Sequence, residues 1–180
     1  MNYGTVDTSI GEVFVAASQE GVCAVAFGIP EEQFKAEHPG AVRNDAALAR
    51  ELDLVRRYLA GEPVTFEDVK VDVSAGTSLQ RAVWRELLKV PRGTTVSYSQ
   101  LAARAGRPKA AMAVGNIVGQ NPVPIVVPCH RVIHADGTIG GYSGGLGVKR
   151  LLHKLEKITC KEEKRISRKK AQKAQEEDKS

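Results

Sequence analysis

Residues 125–132 read IVVPCHRV, so a thiol, Cys129, and an imidazole, His130, stand side by side directly after Pro128. A cysteine attacks as its thiolate, so a working Cys needs a base or positive charge nearby and a route for substrate. Neighbouring side chains on a straight strand point to opposite faces, so the pair cooperates only if the chain turns here or a water bridges them. A carboxylate follows downstream. Residues 147–156, GVKRLLHKLE, have helical spacing at Leu151, Leu152 and Leu155, and Glu156 falls four after Leu152 and seven after Lys149, at the edge of that apolar stripe. An acid there can orient an imidazole and stabilise its charged form, giving a Glu, His, Cys relay with the logic of a triad. The competing readings are a buried, inert Cys129 beside a surface His130, and a Glu156 in a solvent-facing ion pair. Between these pieces stands IGGYSGGLG, residues 139–147, with five glycines in nine and no GxxxxGK[ST] phosphate loop. Such a loop lets backbone groups reach a flat ligand that Tyr142 and Ser143 could touch; a surface turn is the alternative.

The elements that must position these groups are legible in outline. Val13, Val15 and Ala17 alternate as a strand, SQEG turns, and residues 22–27 continue as the second arm of a hairpin. Leu48, Leu52, Val55 and Leu59 predict an amphipathic helix with Asp45 as N-cap and Gly61 as stop. Val69, Val71 and Val73 predict a further strand, and SAGTS a boundary near 74–77. Beyond it LQRAVWRELLKV reads as a helix. Ser97 with Gln100 forms a capping box for SYSQLAARAG, and Gly106 ends that helix. Pro108 suits the first position of the next helix, which runs through KAAMAVGNIVGQ. Two short helices with a glycine turn outline a helix-turn-helix, and Ala110, Ala111, Ala113 and Gly115 leave the second helix with little bulk for close approach to a groove or to another helix. The expected fold is α+β: an N-terminal domain (1–76) of antiparallel sheet plus helix, a mostly helical C-terminal domain (77–160) with a winged-helix-like helix-turn-helix, and a charged, disordered tail (161–180).

Composition excludes several classes. The chain has 180 residues and 42% hydrophobic content, enough for one substantial core or two small ones. Cys23, Cys129 and Cys160 are three cysteines without a CxxC pair, which speaks against a disulfide framework or zinc knuckle and for a reducing compartment. No run approaches the roughly 20 apolar residues of a bilayer span, and MNYGTVDTS lacks a signal layout, so an intracellular protein, in cytoplasm or nucleus, is expected. Net charge is +5, but residues 161–180 hold eight of the 26 Lys/Arg and five of the 21 Asp/Glu, leaving 18 against 16 in the body. Charge alone therefore permits nucleic acid without requiring it. KRISRKK in the tail is either a phosphate-binding or nuclear-address run or a solvated end.

PCHRV, the upstream NPVPI, the downstream YSGGL and the trailing Glu156 resemble one family, the O6-alkylguanine-DNA alkyltransferases, also called methylated-DNA-protein-cysteine methyltransferases. The resemblance is strongest over residues 79–156; the first domain matches only in its strand, helix, strand outline. It implies that Cys129 is the alkyl acceptor, that His130 takes its proton through water and that Glu156 orients the imidazole. By the same resemblance Asn121 braces the turn before the cysteine. Tyr98 bonds the guanine ring and supplies a proton as the base leaves, with Lys149 near its hydroxyl. Ser143 N–H donates to O6, the Cys129 and Val132 carbonyls accept from the exocyclic amine, and Tyr142 and Gly141 bound the pocket. The second helix of the helix-turn-helix, with Ala111, Met112, Ala113 and Gly115, would meet double-stranded DNA carrying O6-alkylguanine or, as a further substrate class, O4-alkylthymine. The chain would act as a monomer, once per molecule, with no membrane partner. Met112 departs from the family, which usually has an arginine there to fill the space of the flipped nucleotide. Zinc-binding members use several Cys and His in the first domain; Cys23 stands without the others, so neither metal nor cofactor is expected. Cys160 is assigned no function.

Overall fold

The computed structural model describes residues 1–161; the rest of the tail, with its expected disorder and address, lies outside the described residues. Strands β1 (Asn2–Thr8), β2 (Gly11–Ala17) and β3 (Val22–Phe27) form an antiparallel meander, and a short β4 (Val42–Arg43) pairs in parallel with β1, giving the order β3-β2-β1-β4. The sheet is thus mixed, not purely antiparallel as expected. Helix α1 (Glu31–Glu37), which the periodicity did not predict, carries the chain from one edge of the sheet to the other. It also explains why β2 buries both faces: Val13 and Val15 face the main core, while Phe14 and Ala16 face Phe34 of α1, whose ring stacks on Phe14 at 5.0 Å.

A 3-10 turn (Ala46–Leu48) leads into α2 (Ala49–Leu59). Asn44 rather than Asp45 caps this entry, its Oδ1 accepting from the Ala47 N–H at 3.1 Å. Asp45 Oδ1 is already engaged by the Thr5 N–H of β1 at 2.9 Å. Gly61, with φ 91°, ends the helix as its position predicts. Leu48, Leu52, Val55 and Leu59 are buried, and so is Tyr58.

The expected strand at Val69–Val73 does not form. Val22 donates to the Lys70 carbonyl at 2.9 Å and accepts from Asp72 at 2.8 Å, one isolated bridge. It cannot extend, because the next outward donor of β3, Val25 N–H, is taken by the Pro122 carbonyl at 2.9 Å.

Helix α3 (Ser78–Leu88) starts on a Thr77–Gln80 capping box, and α4 (Tyr98–Arg104) on the Ser97–Gln100 box that the sequence predicts. Helix α5 (Ala111–Gly119) begins three residues after Pro108, because residues 107–110 close a turn through Ala110 N–H to the Arg107 carbonyl at 2.9 Å. Two-residue strands β5 (Val96–Ser97) and β6 (Val132–Ile133) pair in parallel, fastening the chain after the Cys129 turn to the start of α4. Helix α6 (Leu146–Leu155) follows. The architecture is α+β, and one core runs from Val13 and Leu52 through Trp84 and Val114 to Val127 and Leu152. No helix among the described residues is long and apolar enough to cross a membrane.

Trp84 ties α3 to α5 by donating from Nε1 to the Ile117 carbonyl at 3.1 Å. Gly76 lies against its ring, and a Cβ there would sit 2.5 Å from Trp84 Cζ3. Overpacking of this kind costs about 1–3 kcal/mol. Gly76→Ala should lower the urea midpoint by a corresponding amount, followed by fluorescence of Trp84, the one tryptophan in the chain; an unchanged midpoint would mean that the ring has room to move.

Candidate active site

Cys129 opens a 3-10 turn (Cys129–Arg131), so the chain does bend where the thiol and imidazole meet. The bend is built by the residues before it. Asn121 Nδ2 donates to the Val127 carbonyl at 2.8 Å, while its Oδ1 accepts from Val123 N–H at 3.0 Å, closing the NPVPIVV loop on itself. Cys129 N–H also donates to the Val127 carbonyl, at 2.8 Å. Within that loop Ile125 has φ 76°, a left-handed conformation that a β-branched residue adopts only where packing enforces it, and Ile125 is buried. Asn121 therefore stands where a hinge-bracing residue would.

His130 and Glu156 are both buried, against the readings of a surface imidazole and a solvent-facing acid. The Glu156 carboxylate receives five hydrogen bonds. Oε1 accepts from His130 Nε2 at 3.0 Å, the Tyr58 hydroxyl at 2.6 Å and Arg131 Nη2 at 2.7 Å. Oε2 accepts from Arg131 Nε at 2.9 Å and Gly93 N–H at 3.1 Å. Burial pushes this carboxyl up, but the bonds from His130, Arg131 and Tyr58 outweigh burial and hold it well below the ordinary carboxylate range. The stability it contributes is therefore present above the unfolded-chain carboxylate pKa and drains away as pH falls below it.

Tyr58, Arg131 and Gly93 escaped the sequence reading. Arg131 follows directly after the Cys–His pair, and an arginine there is a signal for a nearby buried acid. Tyr58 carries no such signal, being one more aromatic on the apolar face of α2.

Burial lowers the His130 pKa, partly offset by Glu156, and its Nδ1 makes no hydrogen bond among the described residues. Burial raises the Cys129 pKa, opposed by Asn121 and Lys149. At neutral pH the resting pair is thus a thiol beside a neutral imidazole whose Nδ1 is free to take a proton. Lys149 is fully buried at the start of α6. Its Nζ donates to the carbonyls of Val132 at 2.7 Å and Gly141 at 3.1 Å. Burial brings its pKa down to about 8. Its hydrogen bonds thus go to these carbonyls, not to the Tyr98 hydroxyl, because its stem runs up between β6 and the glycine loop. The Val132 carbonyl keeps one lone pair for another donor.

A cleft of about 270 Å³ opens between α5 and the glycine loop, lined by Tyr98, Gly115, Val118, Gly119, Gly141, Tyr142 and Ser143. Tyr98 is wedged between two glycines: a Cβ on Gly115 would meet its ring at 3.6 Å, and one on Gly140 its hydroxyl at 3.0 Å. Tyr142 buries its hydroxyl, and burial, then the nearby Cys129, raises its pKa. On α5, Val114, Ile117 and Val118 face the core, Ala111 is half-buried, Ala113 is exposed, and Met112 is 86% exposed. Among the described residues no group of three or more His, Cys, Asp or Glu could hold a metal ion. The arrangement brings a buried thiol, an imidazole, a buried acid and an open cleft into one corner.

Comparison with known proteins agrees along the chain. The family model described as "6-O-methylguanine DNA methyltransferase, ribonuclease-like domain" matches residues 1–73, and its "DNA binding domain" partner matches residues 78–158. The methylated-DNA–protein-cysteine methyltransferase of Mycobacterium tuberculosis is 39% identical over 157 residues, 87% of this chain and 93% of that protein. Its counterpart from Methanosarcina acetivorans is also 39% identical, over 87% of this chain and 98% of its own. The crystal structure of Mycobacterium tuberculosis OGT in complex with DNA superposes with a TM-score of 0.78 at 38% identity, covering 87% of this chain and 93% of that one. A turned Cys–His pair, a buried acid behind it and two matched halves lead to one conclusion: the chain belongs to the 6-O-methylguanine DNA methyltransferase family.

Proposed function

We propose that this protein repairs O6-alkylguanine in duplex DNA by moving the alkyl group to Cys129, once per molecule. The observation that carries this reading is the thiol and neutral imidazole backed by Glu156, beside a cleft sized for one flat base, in a chain of this family. A relative of known structure is bound to DNA. The alkyl carbon of such a guanine is hidden in the base stack, so the nucleotide must be flipped into the cleft before sulfur can reach it.

In this reading the thiol proton of Cys129 passes through water to Nδ1 of His130, whose imidazolium Glu156 stabilises. Sulfur attacks the alkyl carbon, the carbon–O6 bond breaks, and the electron pair stays on the guanine, which takes a proton from the Tyr98 hydroxyl. Tyr98 regains its proton from solvent. Ser143 N–H serves O6 as a donor, the carbonyls of Cys129 and Val132 receive the exocyclic amine, and Tyr142 and Gly141 close the cleft. Lys149 holds the Val132 and Gly141 carbonyls in place. Nothing here can expel the thioether, since no good leaving group is attached to an S-alkyl cysteine, so the reaction is stoichiometric. Helix α5 enters the duplex with Met112, while Ala111, Ala113 and Gly115 let its backbone approach. Residues 1–76 form the supporting domain and 77–160 the transferring one, acting as a monomer in the compartment that holds DNA, cytoplasm or nucleus.

Incubation with a duplex carrying one O6-methylguanine should add one methyl mass per chain, and Cys129→Ala should add none. Binding without mass change, or repeated turnover of a cysteine-hydrolase substrate, would refute the reading. Glu156→Gln leaves the Arg131 charge buried without its partner, an effect of about 3–5 kcal/mol on stability, and should slow alkyl uptake roughly 100-fold; urea titration and a mass time course measure the two. Methionine supplies bulk to the flipped-out space but neither charge nor donor, so Met112→Arg should speed repair of duplex DNA while leaving reaction with free O6-alkylguanine unchanged. Equal duplex rates would show that the methionine is no handicap.

A further inference from the structure

We propose that Tyr58, supplied by α2 from the first half of the chain, is a positioning residue for alkyl transfer: its buried hydroxyl, set against both Glu156 and His130, shares the carboxylate that keeps the imidazole proton on Nε2 and so tempers the pull of that charge on the base. The proposal rests on the alkyl-transfer reading above and deepens it.

The geometry admits one proton arrangement. The Tyr58 hydroxyl is 2.6 Å from Glu156 Oε1 and 3.2 Å from His130 Nε2, and Nε2 is itself 3.0 Å from the same carboxylate oxygen. Burial, then the Glu156 charge, pushes the phenol pKa far above its ordinary value, so Tyr58 stays protonated and must donate. Its acceptor is the carboxylate, which leaves a phenol lone pair facing Nε2. An Nε2 that meets a carboxylate and an oxygen lone pair has to carry its own proton. The free lone pair of the imidazole is then on Nδ1, the nitrogen without a partner among the described residues. A ring in the other tautomer would set an unprotonated Nε2 against the carboxylate and leave no base for the thiol.

Tyr58 is itself held in place. The Arg92 guanidinium lies 4.9 Å from the centre of its ring. The same Arg92 donates to the carbonyls of Val64 at 3.2 Å and Leu155 at 2.9 Å. Phe66 packs against the ring at 5.3 Å. The phenol is therefore clamped between a segment of the first half and the end of α6, and it reaches a base 72 residues away in sequence. This gives the N-terminal half a part in the chemistry beyond packing.

The groups that face His130 are Tyr58 from α2, Glu156 at the end of α6, Arg131 on its own turn, and His153 of α6, whose Nε2 donates to the His130 carbonyl at 2.6 Å. Removing the phenol hydroxyl leaves Glu156 with one donor fewer. Its charge then acts more strongly on the imidazole, so His130 becomes easier to protonate. Transfer needs His130 neutral, so the acid limb of the rate profile moves to higher pH.

The test is Tyr58→Phe, which keeps the ring and removes one oxygen. Alkylation of Cys129 by an O6-methylguanine duplex, followed by intact mass across pH, should slow roughly tenfold, a part of the 10²–10⁴-fold that general-base assistance supplies. The acid limb should move up, while nitrogen-15 NMR of the histidine rings should find the Nε2–H form of neutral His130 in parent and variant alike, because the Glu156 carboxylate still faces Nε2 at 3.0 Å in the parent geometry. An unchanged rate, or a slower rate with the acid limb unmoved, overturns the proposal and leaves Tyr58 as packing alone. A parent protein that never gains the methyl mass overturns the alkyl-transfer reading as well, which separates the two failures.

Discussion

A carboxylate held in the interior is the constraint that organises this molecule. Water solvates an ionised acid far better than a protein core does, so Glu156 remains charged only because five donors surround it. Those donors come from α2, from the loop after α3 and from both residues that follow Cys129. The need to satisfy one charge therefore pins three distant stretches of chain to the end of α6. Arg131 supplies the compensating charge bidentately and also anchors on the Val90 carbonyl, so the Cys129–Arg131 turn cannot slide relative to α3.

The thiol sits at the other end of this network under opposite rules. Its surroundings disfavour the charged form, and the donors that would favour it, Asn121 and Lys149, offset burial only in part. A sulfur kept protonated reacts slowly with adventitious electrophiles. The imidazole next to it is the one that bonds the buried acid, so His130 separates the thiol from the Glu156 charge. Asn121 and the left-handed Ile125 hold that separation by fixing the loop before the turn.

The cleft shows the complementary use of small residues. Glycines at 115 and 140 bring backbone close to Tyr98, and Gly141, Tyr142 and Ser143 line the cleft beside it. Lys149, buried without an acid partner among the described residues, places its donors on the carbonyls of Val132 and Gly141. Rigidity of the lining thus comes from the same α6 helix that ends in Glu156.

Local patterns were enough for much of this. The Ser97–Gln100 capping box, the α2 stripe, the glycine stop at 61 and the adjacent Cys–His pair depend on neighbours within a few residues, and such signals survive in a linear reading. Elements decided by long-range competition were not legible. The 69–73 segment alternates like a strand yet finds its partner edge taken by Pro122; β2 buries both faces because an unforeseen helix covers one; Asp45 is drawn away from its cap by β1. Sequence by itself placed a thiol, an imidazole and an acid within reach of a common site and left their use open; the kind of chemistry came from the resemblance of PCHRV, NPVPI and YSGGL to one family. Tertiary structure alone decided how the acid stays charged and which groups share it. Tyr58 lies 98 residues from Glu156 in the chain, and no periodicity can encode a hydrogen bond that exists only once both helices have packed.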